Sequence, residues 1–232
     1  MFKKKSNLLQ NNKRKLIAYT NSKSPISEQY RTIRTNIQFA AVDKEMQIIM
    51  VTSSVPGEGK STTAANLAVV MAQQAKKVLF IDADLRKPTV HYTFNQTNTF
   101  GLTNVLMKKI ELADAVKTTD VDNLYVLTSG PVPPNPAELL GSKMMKDLLN
   151  QIRMEFDTVI IDTPPLLAVT DAQIVANICD GTVLVISSGK AEIENAKKAK
   201  DMLQATSSTL LGAVINNKKV TGDSSYYYYY GN

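Results

Sequence analysis

The sequence predicts an α/β domain in which helices cover both faces of a mostly parallel β-sheet, a three-layer αβα arrangement. Short apolar runs rich in β-branched residues alternate along the chain with helix candidates, as in successive strand–helix units. Several runs are almost continuously apolar, which is typical of parallel strands buried on both faces. The 232 residues, 44% of them hydrophobic, suit one domain with a complete core.

The elements are predicted in chain order from periodicity and capping residues. Apolar positions at helical spacing predict a helix from Ile26 to Ala41, with Ser24 or Ser27 as its N-cap. The strand candidates are Gln47–Thr52, Val78–Asp82, Leu124–Thr128, Thr158–Asp162, Gly181–Ser187 and Leu210–Asn216. The helix candidates between them are Ser61–Ala75, Lys143–Phe156, Asp171–Ile178 and Glu192–Ala205. Asn135-Pro136-Ala137-Glu138 has the pattern of a helix start, and residues 86–123 are expected to form loops with one or two short helices.

The two ends of the chain differ from its body. Residues 1–25 are polar and aperiodic and predict a flexible arm, residues 26–222 predict the folded domain, and residues 223–232 predict a mobile tail. Residues 1–34 hold nine Lys/Arg against one acid, whereas the rest of the chain holds 18 basic and 20 acidic residues. A basic arm suits an anionic lipid, an acidic partner or simple solvation. Nucleic acid is not an expected partner, because no recognition motif accompanies the arm.

The composition predicts a cytoplasmic protein. No apolar run reaches the roughly 18 to 20 residues that span a bilayer. The N-terminus has lysines but no apolar region followed by a cleavage site, and the single cysteine, Cys179, cannot form an internal disulfide.

A glycine-rich segment between a predicted strand and a predicted helix is typical of a Walker A loop, which binds phosphate. Its backbone N–H groups would surround the phosphates at the helix N-terminus, Lys60 would reach the β- and γ-phosphates, and the Ser61 hydroxyl would coordinate Mg²⁺. The expected nucleotide-binding residues are Pro56, Gly57, Glu58, Gly59, Lys60, Ser61 and Thr62. Ser54 stands where such loops usually have their first glycine.

Acidic residues end two of the predicted strands. Asp82 and Asp84 follow one, and Asp162 ends another as a Walker B aspartate would. A single aspartate at a strand end is often only a turn residue, but ligands of parallel sheets lie beyond the carboxyl ends of the strands, where all these motifs converge. The sequence therefore predicts a P-loop NTPase that binds ATP and Mg²⁺, with Ser61, Asp84 and Asp162 as the metal-site candidates.

The paired acids after the second strand resemble the Walker A′ motif of the MinD/ParA group of ATPases. That group has a signature lysine early in its Walker A loop, and the corresponding residue here is Val55. The combination of motifs more closely resembles the bacterial tyrosine kinases of capsule and exopolysaccharide synthesis, of the CapB type, from about residue 25 to the C-terminus. The resemblance rests on residues 56–61, 82–88, 161–165 and 28–34 and on the terminal tyrosine cluster.

This resemblance implies an ATP-dependent protein-tyrosine kinase that phosphorylates its own C-terminal cluster between subunits and regulates capsular polysaccharide synthesis and export. The acceptors would be Tyr226, Tyr227, Tyr228, Tyr229 and Tyr230. It also implies a ring-like homo-oligomer joined through Glu28, Arg31 and Arg34, although their spacing alone favours a solvated helix face. The remaining implied partners are protein substrates in polysaccharide synthesis and a membrane-bound adaptor, of the polysaccharide co-polymerase type, that activates the kinase at the inner face of the membrane.

The expected catalytic residues are Asp82, Asp84, Lys60 and Asp162, with Asp82 as the first choice for the base that accepts the phenol proton. Arg86 is expected either to stabilise the transferred charge or to form a surface ion pair, and Asn216 or Asn217 either to contact adenine or to form a turn.

Two other functions stay open from the sequence: a MinD/ParA-like ATPase switch and a non-catalytic, ATP-binding scaffold of polysaccharide assembly. Val55 and the tyrosine cluster argue against the switch, and the intact lysine and aspartates argue against the scaffold.

Overall fold

The computed structural model describes residues 16–40 and 46–218. It contains a seven-stranded sheet with the order β3-β4-β2-β5-β1-β6-β7, in which every pairing is parallel except that of β3 with β4. The strands are β1 (Ile48–Ser53), β2 (Val78–Asp82), β3 (Lys117–Thr118), β4 (Leu124–Leu127), β5 (Thr158–Asp162), β6 (Gly181–Ser187) and β7 (Thr209–Asn216). The mostly parallel sheet and six of its strands were predicted, and β3 was missed because two residues give no periodicity.

Helices pack on both faces of the sheet and confirm the three-layer arrangement. The helices over one face are α1 (Ile17–Thr20), α2 (Pro25–Ala40), α3 (Lys60–Ala72) and α4 (Val90–Thr93). The helices over the other face are α5 (Leu102–Leu106), α6 (Leu112–Ala115), α7 (Pro136–Leu140), α8 (Lys143–Glu155), α9 (Asp171–Ala176) and α10 (Ile193–Gln204). Each face has its own apolar core, because successive strand residues point to opposite sides.

The strand order brings the three predicted motifs together. β5 lies between β2 and β1, so the loop after β1 and the acids at the ends of β2 and β5 come from three adjacent strands. Asp82 and Asp162 are direct neighbours in the β2–β5 pairing. The chain crosses from β1 through α3 to β2, which lies two positions away in the sheet. β5 occupies the position between them.

The predicted boundary of the N-terminal arm was wrong within the described residues. Residues 17–20 form α1, and the Ala18 side chain is fully buried. The Ala18 N–H donates to Asn66 Oδ1 at 2.9 Å, and Gln73 Nε2 donates to the Ala18 carbonyl oxygen at 3.0 Å, so two side chains of α3 hold α1. Residues 1–15 of the arm and the tyrosine tail lie outside the described residues.

The caps of α2 and α7 show how the local sequence starts these helices. Ser24 is the N-cap of α2, since its hydroxyl accepts from the Ser27 N–H at 3.2 Å, and Pro25 occupies the first helical position. Asn135 precedes α7 as predicted, but its side chain donates to Glu138 Oε2 at 2.6 Å and caps no backbone N–H. Between residues 86 and 123 three short helices form, one more than predicted. In the described part of the chain, no helix is long and apolar enough to cross a membrane.

We predict that Asn66→Ala lowers the free energy of unfolding by about 1–3 kcal/mol, because it leaves the buried Ala18 N–H without its acceptor. Urea unfolding measures this loss. Asn195→Ala is the matched control, since Asn195 is half-buried and its side chain, among the described residues, bonds only to Glu192 at the same helix start. Equal unfolding midpoints for the two variants would show that α1 is not held through Asn66.

Candidate active site

The loop between β1 and α3 presents a row of backbone donors. Gly57 and Gly59 have φ values of 85° and 90°, a left-handed conformation that favours glycine, and α3 begins directly after Gly59. The N–H groups of residues 57–62 donate to no acceptor among the described residues. Successive free amides at the N-terminus of a helix form an anion-binding cradle, so the loop has the geometry for binding phosphate.

A buried carboxylate supports this loop from the protein interior. Glu58 is only 1% exposed. Its Oε2 accepts from the Ser54 hydroxyl at 2.7 Å and from the Val55 N–H at 2.8 Å, while its Oε1 accepts from the Ser187 N–H at 3.2 Å. Ser54, at the position of the usual first glycine, therefore provides a hydroxyl donor to this carboxylate. The sequence placed Glu58 in the loop but did not predict that its side chain points inward.

The end of β7 contacts the loop from another side. Asn216 Nδ2 donates to the Glu58 carbonyl oxygen at 2.9 Å. A Cβ atom on Gly59 would lie 2.0 Å from the same nitrogen, so only glycine fits there without moving Asn216. Asn217 has a φ of 55° and donates through Nδ2 to the Ser187 hydroxyl at 3.0 Å. Asn216 thus holds the backbone of the loop, and Asn217 links the ends of β7 and β6 through side chains.

Lys60 is the cation of a buried acidic cluster. Its Nζ lies 3.1 Å from Asp84 Oδ2, 3.2 Å from Asp162 Oδ1 and 3.1 Å from the Ser61 hydroxyl. Burial on its own would lower the pKa of Lys60, but attraction by Asp162 and Asp84 outweighs burial, so the pKa is raised. The lysine therefore stays charged at the point where the loop, β2 and β5 meet.

Asp82 is fully buried beside this cluster. Burial, followed by repulsion from Asp162, raises the pKa of its carboxyl group to about 7. Its oxygens accept from the backbone N–H groups of Asp84 at 3.2 Å, Thr89 at 3.1 Å and Val90 at 3.0 Å. Asp82 thus fixes the segment that follows β2 and the start of α4.

The oxygens of this cluster fit a hard cation. Asp162 Oδ2 is buried and has no hydrogen-bond partner within the described residues, although Oδ1 of the same carboxylate faces Lys60. No group of three or more acidic, histidine or cysteine side chains among those residues is arranged to enclose a metal ion. Mg²⁺ bound with nucleotide usually takes one or two carboxylates and completes its shell with phosphate oxygens and water, so it does not require such a group.

Arg86 pairs with a residue that the sequence analysis did not select. Its Nε and one terminal nitrogen each lie 2.9 Å from an oxygen of Asp171, whose side chain is fully buried at the start of α9. The ion-pair interpretation of Arg86 is therefore the one that the structure favours. The partners lie 85 positions apart in the sequence, and no local pattern predicts this contact.

The charged residues of α2 contact their own chain. Glu28 and Arg31 form an ion pair, and Arg31 also donates to the Ser22 carbonyl oxygen at 2.8 Å. Arg34 donates to the carbonyl oxygen of Val70 at 2.6 Å, in the last turn of α3. These contacts place the three residues along the surface of α2, with Arg34 against the helix that begins with Lys60.

The fold and this site together define a P-loop NTPase. A family model described as an AAA domain matches residues 46–205, which include the loop and the three aspartates. The chain belongs to the bacterial tyrosine-protein kinases: over 203 residues it is 63% identical to tyrosine-protein kinase YwqD of Bacillus subtilis (strain 168), covering 88% of this chain and 86% of that one.

Solved structures agree with this assignment. The chimerical protein CapA2B2 aligns with a TM-score of 0.86 and 45% identity, over 88% of this chain and 90% of the other. The kinase domain of the Escherichia coli tyrosine kinase ETK aligns with a TM-score of 0.86 and 35% identity, over 90% and 82%. The predicted family and the predicted enzyme class, a protein-tyrosine kinase, are confirmed.

We predict that Gly59→Ala destabilises the protein more than Gly57→Ala. Both alanines would have to adopt a left-handed conformation, at a cost of about 1–2 kcal/mol, but only the one at position 59 also displaces Asn216 from the Glu58 carbonyl. Urea unfolding of the two variants, and of Gly59→Ala combined with Asn216→Ala, measures the difference. The effects of the double variant should be less than additive. Equal losses for the two glycine variants would contradict the close contact.

Proposed function

We propose that the chain transfers the γ-phosphoryl group of Mg·ATP to tyrosine hydroxyls, and that the acceptors include Tyr226–Tyr230 of a neighbouring copy. The observation that supports this most strongly is the row of free loop amides beside a lysine shared by two strand-end carboxylates, in a chain of the tyrosine-kinase family. The tyrosine tail lies outside the described residues, so its role rests on the sequence and on the family resemblance.

The proposed nucleotide contacts follow from the geometry of the loop. The amides of residues 57–62 would bind the phosphates, and Lys60 would leave its carboxylate partners in part to face the β- and γ-phosphates. Ser61, Asp84 and Asp162 would hold Mg²⁺. Mg²⁺ supplies neutralisation of the charge on the phosphates. The loop residues Pro56 and Glu58 would then contribute shape and backbone rather than side-chain contacts.

Asp82 is the proposed proton acceptor. A free tyrosine hydroxyl has a pKa near 10, and a carboxylate whose pKa is raised toward neutrality is a better match for its proton than an ordinary aspartate. The pKa of Asp82 is raised to about 7. Among the described residues, its Oδ1 accepts only the 3.2 Å bond from the Asp84 N–H, which leaves a lone pair for the phenol. The Oδ2 atom meanwhile holds Thr89 and Val90.

The wider setting is proposed from the family resemblance. Glu28, Arg31 and Arg34 would lie at the contact between subunits of a ring, where the intrachain pairs of α2 would exchange for pairs with a neighbour. A separate membrane-bound adaptor would activate this kinase at the inner face of the cell membrane. Its further substrates would be enzymes that make capsular polysaccharide.

An ATPase switch is the alternative that shares most of this geometry. Water rather than a phenol would then be the acceptor, and the product would be free phosphate without phosphotyrosine. Val55 in place of the signature lysine, and 63% identity to a tyrosine-protein kinase, favour the kinase.

We predict that Lys60→Met lowers tyrosine phosphorylation at least about 100-fold, because the phosphates lose their main side-chain cation. Mass spectrometry of the full chain after incubation with Mg·ATP and a candidate adaptor segment measures the product. Lys146→Met, on the exposed surface of α8, is the matched control and should retain activity. Phosphotyrosine in the Lys60→Met chain at the parental level would refute the proposed role of the loop.

We predict that phosphate moves between chains. A Lys60→Met chain with its tyrosines intact is mixed with an active chain in which Tyr226–Tyr230 are all phenylalanine. If subunits phosphorylate each other, phosphate accumulates on the Lys60→Met chain, which has no activity of its own. A size tag on one chain separates the two on a gel with an anti-phosphotyrosine readout. Phosphorylation of the parent chain, but of neither mixed partner, would mean that each chain modifies only itself.

A further inference from the structure

The phosphate loop has an internal support that the transfer chemistry does not use. The Glu58 carboxylate points away from the free amides and accepts three donors from the protein interior, two within the loop itself and one at the end of β6. None of the ion pairs among the described residues includes Glu58. Burying a carboxylate without a cation costs free energy, and these charge-assisted hydrogen bonds compensate that cost.

We infer that Glu58 and Asn216 are positioning residues that hold the loop in its phosphate-binding shape before nucleotide binds. Nucleotide binding to the loop in turn stabilises the end of β7. The inference rests on the proposed function, since it assumes that the loop binds nucleotide. Neither residue is proposed to touch the transferred phosphate.

The physical reason lies in the loop when it is empty. Its N–H groups donate to no acceptor among the described residues, so an empty loop without support would relax to satisfy them elsewhere. The Glu58 carboxylate holds the first part of the loop through Ser54 and Val55, and Asn216 holds the carbonyl just before Gly59. Because the loop is ordered in advance, binding nucleotide does not have to supply that ordering free energy.

The same contacts connect the loop to the last residues of the sheet. Asn216 ends β7, and its backbone carbonyl accepts from the Ser188 N–H at 2.8 Å. Asn217 donates to Ser187, whose own N–H donates to Glu58. The loop, the end of β6 and the end of β7 therefore form one hydrogen-bonded unit. By thermodynamic linkage, a ligand that stabilises the loop also stabilises the end of β7.

The experiment compares the parent chain with Glu58→Gln and Asn216→Ala. The matched controls are Glu155→Gln, at an exposed residue, and Asn195→Ala, at a half-buried one. Calorimetry gives Kd for Mg·ADP, and an added tyrosine peptide gives KM for ATP and kcat. Glu58→Gln should raise Kd and KM about 10-fold or more, because an amide N–H₂ then faces protein donors, while kcat stays within about 3-fold. Asn216→Ala should raise Kd and KM as well. A loss confined to kcat, or an unchanged Kd, would overturn the inference.

Hydrogen exchange of the backbone amides distinguishes this positioning role from a purely structural one. Mg·ADP should slow exchange of residues 209–218 in the parent chain but not in Asn216→Ala. Slowing that persists in that variant would refute the link to β7. Where Glu58→Gln does not fold, Ser54→Ala removes one donor to the same carboxylate and should raise Kd about 3-fold. An unchanged Kd in Ser54→Ala would count against the inference.

The experiments distinguish a failure of the proposed function from a failure of the inference about loop support. A parent chain that does not bind Mg·ADP refutes the proposed function. In that case, exchange of residues 54–59 without nucleotide still tests the support: it should be faster in Glu58→Gln than in the parent, and equal rates would refute it.

Discussion

Two carboxylates lie side by side in the middle of the sheet, and their negative charges repel each other. The rest of the site compensates this repulsion. Asp82 and Asp162 share one register position on adjacent strands, and both are fully buried. Two like charges this close, away from water, require either a proton or a cation. The raised pKa of Asp82 supplies the first means, and Lys60 supplies the second. Within the described residues, Asp162 Oδ2 has no hydrogen-bond partner, so one oxygen of the pair is left uncompensated by protein groups there.

The position of Lys60 depends on how α3 is held at both ends. At its start, the loop is fixed by Glu58 from the interior and by Asn216 from β7. At its end, Arg34 donates to the Val70 carbonyl, one of the acceptors that a helix C-terminus leaves unused. Along its length, Asn66 and Gln73 hold α1. Arg34 therefore contacts α3 at the end opposite to the phosphate loop.

The sequence predicted those features that local patterns encode. The buried strands, α3, and the acids of β2 and β5 follow from runs of apolar residues and from spacing, because a parallel sheet brings its strand ends to one edge. It could not predict the contacts that depend on tertiary packing between distant segments. The inward direction of the Glu58 side chain depends on the Ser187 N–H, 129 residues away. The Arg86–Asp171 pair joins the loop after β2 to the start of α9, which only the strand order brings together. The position of α1 was missed because a four-residue helix shows no periodicity and is stabilised by side chains of α3.

The same contacts explain how a loop without the MinD/ParA signature lysine can keep its shape. That lysine would fall at position 55, where the side chain is now an aliphatic valine and the backbone N–H is bound by Glu58 of the same loop. Ser54, one residue earlier, adds a second bond to the same carboxylate. Within the described residues, Glu58 and Asn216 of the same chain therefore hold the loop. These internal contacts order the loop without the side chain at position 55, whose aliphatic group offers no charge to a nucleotide or to a neighbouring subunit.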